Sequence, residues 1–430
     1  MPTVKALDGN AAVAEAVRLA RVQVIAAYPI TPQTPIVEHL ATAVESGRLP
    51  ARYIPVESEH SALSAVAGAS LVGARAFTAT AGAGLALMHE IVGVVAGTRL
   101  PVVMAVTNRA LPSPWTLQTD HSDTMAERDQ GWIQLYAESA QEALDLILVG
   151  YRTGEDPRVL LPVMVALDGF FVSHTVERVE VPDPEQVDAY LPPPPTNRPL
   201  LDPDHPVTIN QLTSPDIFTE IKWQHREALQ RALGVLAEAG EAYGRHFGRR
   251  YAPVEPYLPD TSAAEGWPPD VAIVTMGSMA GTVRQALRDG LLGEFAAPGG
   301  RPGPARVGLV KVTCFRPFPA EALRELLAGV QAVAVVDRSA GLGSQAPLAM
   351  EVKAALYDLA AQGRRVPLVQ GFVAGLGGRD FTVETLRRVV ETTLGQLASA
   401  RAGGSGLAAG PGPTTSWPDL KLVAAQPARP

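Results

Sequence analysis

Three side chains with different chemistry follow three strands that the sequence predicts in its first part. Thr31 stands between Pro29 and Pro32, Glu59 opens an apolar helix, and Arg109 follows an apolar run. A carboxyl group in apolar surroundings can hydrogen-bond a ring nitrogen and tune its basicity. Arginine can bind a carboxylate through two parallel hydrogen bonds, and threonine can donate a hydrogen bond to the same anion. These three residues are therefore our candidate catalytic and binding residues.

Each of the three also has a structural interpretation that the residues alone leave open. Thr31 could serve as a turn or helix-capping hydroxyl, and Arg109 could pair with a surface acid. Glu57 and Glu59 both lie at the start of a helix, where carboxylates interact favourably with the helix dipole. This explanation suffices for Glu57, but a second acid so close to an apolar helix favours a functional role for Glu59.

An alternation of strands and helices positions these residues. The first 175 residues predict strands at 22–28, 52–56, 76–80, 100–106, 132–136 and 159–167, and helices at 10–21, 34–46, 61–72, 85–96 and 140–154. This alternation predicts an α/β fold with a doubly wound, mostly parallel sheet. Ligands of such sheets bind at the carboxyl ends of the strands, which is where Thr31, Glu59 and Arg109 fall.

The remainder of the chain predicts a second, smaller α/β domain. Residues 1–255 form the first predicted domain, whose proline-rich extension begins at about 176 and includes a helix at 214–248. Residues 270–395 again alternate strands and helices and form the second domain. The Ala/Gly/Pro/Ser-rich tail, 398–430, predicts disorder or a surface location.

Composition excludes several classes of function. The chain has 430 residues, 47% of them hydrophobic, a net charge of −8 and no basic run, which argues against nucleic acid and anionic membranes as partners. Cys314 is the single cysteine, and one thiol cannot hold an iron–sulfur cluster or a disulfide within the chain. No signal peptide, membrane span or pair of histidines at metal-ligand spacing is visible, so we expect a cytoplasmic protein without a metal site of its own.

Missing motifs are informative as well. The sequence contains no Walker motif, no G-x-S-x-G elbow, and no Gly-Asp-Gly followed by a distant Asn, the arrangement that holds Mg-diphosphate in thiamine enzymes. The candidate residues therefore look like half of an active site.

Many short motifs, in order along residues 5–395, give the chain a resemblance to a known family. They include Tyr28-Pro29-Ile30-Thr31-Pro32, Glu57-Ser58-Glu59-His60-Ser61-Ala62, Gly84-Leu85-Ala86-Leu87-Met88-His89-Glu90, Asn108-Arg109-Ala110-Leu111, Asp120-His121-Ser122-Asp123, Phe315-Arg316-Pro317-Phe318-Pro319 and Gly375-Leu376-Gly377-Gly378-Arg379-Asp380. The chain resembles the PorA-type alpha subunits of pyruvate:ferredoxin oxidoreductase, within the 2-oxoacid:ferredoxin oxidoreductase family.

The resemblance implies a fold, a cofactor and partners. The first domain is similar to the pyrimidine-binding domain of thiamine diphosphate enzymes, and the second to the transketolase C-terminal domain. By this resemblance Glu59 hydrogen-bonds the aminopyrimidine, whereas Arg109 and Thr31 receive the carboxylate and keto group of pyruvate. A beta subunit would hold Mg²⁺, the diphosphate and a 4Fe-4S cluster, gamma and delta subunits would complete a hetero-oligomer, and ferredoxin and coenzyme A would take part in the reaction.

One loop departs from the family pattern. Residues Pro112–Thr119 read Pro-Ser-Pro-Trp-Thr-Leu-Gln-Thr, where relatives usually read more like Ser-Ala-Pro-Leu-Asn-Ile-Trp-Gly. Trp115 could narrow the substrate pocket or pack at a subunit interface, and His60 and His121 could support the site or only the fold. The substrate alternatives are 2-oxoisovalerate and oxalate, although the retained Thr31 favours a monocarboxylate. A non-catalytic docking subunit is the remaining alternative.

Overall fold

A computed structural model of the chain describes residues 2–195, 201–259, 266–402 and 415–421. The chain divides into two compact units. The first comprises Met1–Glu255 with the stretches Met276–Gly281 and Lys311–Ala322, and the second comprises the remaining residues. Within the described ranges, no helix combines the length and the apolar character that crossing a bilayer requires.

The strands, in chain order, are β1 (Thr3–Leu7), β2 (Val24–Ala27), β3 (Arg52–Pro55), β4 (Ala76–Thr80), β5 (Val103–Asn108), β6 (Ile133–Ala137), β7 (Val163–Asp168), β8 (Glu177–Val181), β9 (Val254–Tyr257), β10 (Val271–Thr275), β11 (Val307–Val312), β12 (Cys314–Arg316), β13 (Ala332–Asp337), β14 (Leu368–Val373) and β15 (Thr415–Ser416). The α-helices are α1 (Gly9–Leu19), α2 (Thr34–Glu45), α3 (Glu59–Leu71), α4 (Gly82–Leu87), α5 (His89–Gly97), α6 (Ser122–Ala126), α7 (Ala140–Gly154), α8 (Pro184–Tyr190), α9 (Pro215–Phe247), α10 (Ser278–Arg288), α11 (Ala320–Leu327), α12 (Pro347–Ala361) and α13 (Val383–Ala402).

The first unit is built on a seven-stranded sheet with the order β12-β6-β7-β5-β4-β2-β3. All neighbouring strands are parallel except β12, which runs antiparallel to β6. Every residue of β4, β5, β6 and β7 is buried, as expected for parallel strands that are covered on both faces.

Two separate apolar clusters cover this sheet. Val103 and Ala105 of β5 belong to the cluster that includes α1, α2, α7 and α9, whereas Met104 and Val106 belong to the cluster that includes α3 and α5. Because successive side chains of a strand point to opposite faces, the two clusters lie on opposite faces of the sheet. The predicted doubly wound α/β fold is thereby confirmed.

Two contacts explain why the stretch 311–322 groups with the first unit. β12 pairs with β6, and the ammonium group of Lys311 lies 2.5 Å from a carboxylate oxygen of Glu142. Both side chains are buried. Removal of either one would leave an uncompensated buried charge and would strongly destabilise the fold.

Most residues of a six-stranded sheet, with the order β15-β14-β13-β10-β11-β9, belong to the second unit. The pairs β10–β13, β13–β14 and β14–β15 are parallel. Buried residues of α12 and α13, among them Val352 and Val389, contribute to the core of this unit. The smaller α/β domain predicted after residue 270 thus has the expected class of fold.

The structure differs from the sequence-based expectations in several places. β1 and β8 form an unpredicted antiparallel pair, and the helix predicted at 85–96 is two helices, α4 and α5, that meet at Met88. In the tail predicted to be disordered or to lie on a surface, 398–402 continue α13 and Thr415–Ser416 pair with β14, whose free edge can accept a strand. The rest of that tail lies outside the described residues.

Candidate functional site

Thr31, Glu59 and Arg109 lie at the carboxyl edge of the first sheet, as the sequence predicted by position. They follow β2, β3 and β5, respectively. Arg109 and Thr31 are in contact, because a terminal guanidinium nitrogen, Nη1, donates a hydrogen bond of 3.0 Å to the carbonyl oxygen of Thr31. The Thr31 residue is exposed, whereas only 6% of Arg109 is.

Glu59 is the first residue of α3 and is buried, with 6% of its surface exposed. The helix begins there because Ser58, the residue before it, accepts a hydrogen bond from the backbone N–H of Ser61 at 3.2 Å. Within the described part of the chain, the carboxylate of Glu59 has no hydrogen-bond partner. A carboxylate of a buried residue with no partner on the chain is available to hydrogen-bond a ligand.

The neighbouring Glu57 shows the opposite behaviour. It is exposed, and its carboxylate accepts a short hydrogen bond from the hydroxyl of Ser61. That hydrogen bond lowers the pKa of Glu57. Glu57 therefore supports the start of α3, whereas Glu59 faces the interior.

Two glycines at the start of α4 make room for the site residues. A β-carbon at Gly84 would lie 2.6 Å from a carboxylate oxygen of Glu59 and 2.7 Å from the hydroxyl of Thr80. Gly82 has a φ of +47°, and a β-carbon there would lie 3.2 Å from the side chain of Arg109. The sequence showed a glycine-containing turn here, but not which side chains it accommodates.

Asp123 is a buried residue beside the site to which the sequence analysis assigned no role. Only 1% of it is exposed, and one carboxylate oxygen accepts hydrogen bonds of 3.0 Å from the backbone N–H groups of Gly82 and Arg109. The other oxygen accepts from the Asn108 side-chain amide and the Thr124 N–H, each at 2.8 Å. Burial raises the pKa of Asp123 to about 6, although all four hydrogen bonds oppose this shift.

Asn10 and Gln33 fix the loop that carries Thr31. The side-chain amide of Asn10 donates to the carbonyl oxygen of Pro32 at 3.1 Å, and that of Gln33 donates to the carbonyl oxygen of Ala79 at 3.1 Å. Both side chains are fully buried. The loop is therefore held from α1 and from β4, which restricts the position of Thr31.

The structure assigns different environments to the two histidines of the motifs. His121 is fully buried, and its Nε2 lies 2.7 Å from a carboxylate oxygen of Asp168. The second oxygen of Asp168 accepts a hydrogen bond of 2.8 Å from the N–H of Ser278. His121 thus belongs to a buried network at the end of β7, whereas His60 lies near the surface, 3.6 Å from Glu90.

Metal ligands are not clustered in the described part of the chain. No group of three or more His, Cys, Asp or Glu side chains there could hold a metal ion. Cys314 is buried and free, and burial raises the pKa of its thiol. The site does contain an unpartnered carboxylate, a cation and an exposed threonine. The carboxylate suits an organic ligand with a basic ring, and the cation and the threonine suit an anionic substrate.

Two family models match the sequence. The first, "Pyruvate flavodoxin/ferredoxin oxidoreductase, thiamine diP-bdg", matches residues 15–240. The second, "Pyruvate:ferredoxin oxidoreductase core domain II", matches residues 269–386.

Curated relatives are similar over almost their full length. The chain is 46% identical to pyruvate synthase subunit PorA of Thermotoga maritima, over 90% of this chain and 94% of the relative. It is 44% identical to PorA of Methanothermobacter thermautotrophicus, over 90% and 95%. It is also 41% identical to ketoisovalerate oxidoreductase subunit VorA of Pyrococcus abyssi, over 91% and 93%.

Solved structures share the fold at lower identity. A 2-oxoglutarate:ferredoxin oxidoreductase from Magnetococcus marinus superimposes with a TM-score of 0.64 and 20% identity, over 91% of this chain and 65% of that one. A split-gene transketolase, described as an inactive beta4 tetramer, gives a TM-score of 0.51 and 15% identity, over 91% and 99%. These two likenesses concern the fold alone.

Proposed function

Because this chain belongs to the pyruvate flavodoxin/ferredoxin oxidoreductase family, as its motifs predicted, we propose that it is the alpha-type subunit of a complex that oxidatively decarboxylates pyruvate. The reaction consumes coenzyme A, yields acetyl-CoA and CO₂, and passes its electrons to ferredoxin. One observation carries the proposal: Glu59, a buried carboxylate without a partner, and Arg109, a buried cation, line the same glycine segment, Gly82–Gly84.

The residues present fit thiamine diphosphate, the cofactor that the family binds. The carboxylate of Glu59 lacks a partner among the described residues, and the hydroxyl of Thr80 is buried without one. Both groups lie beside Gly84, where any larger residue would occupy the space between them and the turn. When bound, thiamine diphosphate supplies the carbanion chemistry by which a 2-oxoacid loses CO₂.

Glu59 holds the aminopyrimidine end of this cofactor in our proposal. Its carboxyl group hydrogen-bonds a ring nitrogen and so controls the proton on that nitrogen. The buried position suits this role, because a hydrogen bond is stronger electrostatically where water is excluded.

Arg109 and Thr31 bind the substrate in our proposal. Nη1 of Arg109 is already oriented by the carbonyl oxygen of Thr31, while its Nε–H is buried without an acceptor and remains available to a carboxylate. Charge-assisted hydrogen bonds of this type are roughly twice as strong as neutral ones. The exposed Thr31 can donate its hydroxyl to the keto group.

Partner subunits complete the active site. We assign Mg²⁺, the diphosphate and a 4Fe-4S cluster to a beta subunit, because this chain has one cysteine and lacks the Gly-Asp-Gly…Asn pattern. Gamma and delta subunits provide further electron transfer to ferredoxin. A reducing cytoplasm suits a chain whose single thiol is free.

2-Oxoisovalerate is the second candidate substrate, because the VorA relative is almost as similar to this chain as the PorA relatives are. Pyruvate is favoured since the highest identities of the relatives named above, 44% and 46%, are to PorA subunits.

A substrate panel on the assembled complex tests the proposal. The chain is co-expressed with its partner subunits, and anaerobic reduction of ferredoxin or a viologen dye is followed with coenzyme A and each 2-oxoacid. We expect the highest kcat/KM with pyruvate. A complex that reduces the dye with 2-oxoisovalerate or oxalate but ignores pyruvate would contradict the proposed substrate, and one that turns over none of them would contradict the proposed reaction.

A further inference from the structure

The indole ring of Trp115 stands beside the guanidinium group of Arg109. The ring centroid lies 5.8 Å from the central guanidinium carbon, within the range of a cation–π interaction. Although Trp115 is one of the largest apolar side chains, 70% of it is exposed. The ring therefore adds little to the core of the first unit, and its contact with Arg109 places it at the candidate site.

Hydrogen bonds at its base fix the loop that carries Trp115. The N–H of Ala110 donates to the carbonyl oxygen of Gln118 at 3.0 Å, which joins the two ends of the loop. The N–H of Leu111 donates to the hydroxyl of Ser122 at 2.9 Å, next to the start of α6. With both ends held, the indole is presented to Arg109 by a defined loop and not by a free chain segment.

We propose that Trp115 determines substrate size by forming a wall of the pocket for the alkyl group of the 2-oxoacid. This inference rests on the proposed function, in which Arg109 binds the substrate carboxylate. A carboxylate held by that guanidinium has its alkyl group within a few atoms of the cation, and the inference places that group on the side that the indole occupies. The methyl group of pyruvate needs little room there, whereas the branched group of 2-oxoisovalerate requires space that the ring fills.

The expected size of the effect follows from apolar pockets in general. One methylene group in such a pocket changes kcat/KM by roughly 10- to 200-fold. Removal of the indole should therefore shift the preference between the two acids by roughly tenfold or more in favour of 2-oxoisovalerate. Both acids carry the same carboxylate and keto groups, so the ratio of their kcat/KM values isolates the alkyl group.

The experiment compares Trp115→Ala and Trp115→Phe with the unaltered protein, each in the complete complex. The control is Leu117→Ala, since Leu117 lies on the same loop, is 37% exposed, and carries no aromatic ring for a cation–π interaction with Arg109. Native mass measurements confirm assembly, and dye reduction gives kcat/KM for pyruvate and for 2-oxoisovalerate. We expect a large rise of the 2-oxoisovalerate-to-pyruvate ratio for the alanine variant, a smaller rise for phenylalanine, and no change for the control.

Two results would overturn the inference, and they are distinguishable from failure of the proposed function. An assembled alanine variant with the ratio of the unaltered complex would show that Trp115 is no wall of the pocket. Loss of assembly in the alanine variant, together with an unchanged ratio in the phenylalanine variant, would identify Trp115 as an interface residue instead. Failure of the proposed function would be seen in the unaltered complex instead, as a lack of activity with pyruvate.

Discussion

The carboxylate of Glu59 lies so close to Gly84 that a β-carbon at residue 84 would fall 2.6 Å from one of its oxygens. The same β-carbon would also lie 2.9 Å from the Glu59 side-chain carbon Cγ, so rotation of the carboxyl group alone would not relieve the overlap. The absence of a side chain at residue 84 thus maintains the position of the acid on which the proposed function depends.

Gly84→Ala should therefore reduce activity without preventing folding. Displacement of a catalytic group by about 1 Å lowers rates by roughly 100-fold, which is the loss we expect in kcat. Gly68→Ala is the matched control, because Gly68 lies in the same helix as Glu59 and an added β-carbon meets no atom within 4 Å. Dye reduction and circular dichroism of both variants test this prediction, and equal kcat values for the two would refute it.

Glu59→Gln tests the acid itself. The amide has the same shape but cannot share a proton with a ring nitrogen as a carboxyl group does, so kcat should fall by roughly two to four orders of magnitude while the complex still assembles. Glu57→Gln provides the control, since Glu57 is exposed and binds Ser61. Turnover of the Glu59 variant at the rate of the Glu57 variant would remove Glu59 from the mechanism.

The sequence predicted the central strands because their signal is local. Every residue of β5 and β7 is buried, so each strand reads as an apolar run between turns. The pair β1–β8 lacks such a run: β1 is exposed at four of its five positions, and its partner lies far along the chain. Pairing between distant, half-exposed segments leaves no periodic pattern in either of them.

The candidate site was predicted in part for a similar reason. The carboxyl ends of parallel strands meet at one edge, so the positions of Thr31, Glu59 and Arg109 followed from the order of elements. Asp123 and Gly84 were not assigned roles, because theirs arise from contacts in space with Gly82, Arg109 and Glu59. Without those contacts, an aspartate outside the predicted strands and helices and a glycine in a predicted turn resemble many others in the chain. The catalytic roles themselves remain predictions.

Arg109→Lys tests recognition of the substrate carboxylate. The guanidinium group can bond Thr31 and retain a second donor, whereas the single ammonium of lysine is a point charge without the planar pair of donors. We expect kcat/KM for pyruvate to fall by about ten- to a hundredfold, the worth of a hydrogen bond to a charged group, mainly through a higher KM. Arg48→Lys is the control, because Arg48 is exposed, and it should leave kcat and KM unchanged. A fall confined to kcat would argue against a role for Arg109 in binding the substrate.

Asp123 makes the stability of the chain depend on pH in a direction that can be tested. Burial raises its pKa from 3.8 to about 6, so the folded chain holds this proton more tightly than the unfolded chain does. The stability that Asp123 contributes is therefore fully present below the unfolded pKa and is lost as pH rises through the folded pKa. Asp123→Asn cannot titrate, and it places an amide against the N–H groups of Gly82 and Arg109.

The asparagine variant should be less stable than the unaltered chain at low pH, and the difference should narrow as pH rises. Between about pH 5 and about pH 7 the narrowing should be on the order of 1 kcal/mol, since one pKa unit corresponds to about 1.4 kcal/mol. Urea unfolding at a series of pH values measures it, with Asp129→Asn as the control because the Asp129 side chain is 76% exposed. The free energies of unfolding of the unaltered chain and of Asp123→Asn could instead differ by a constant amount over this range. In that case Asp123 would not be the titrating group, and the buried carboxylate that joins Gly82 to Arg109 would remain ionised throughout.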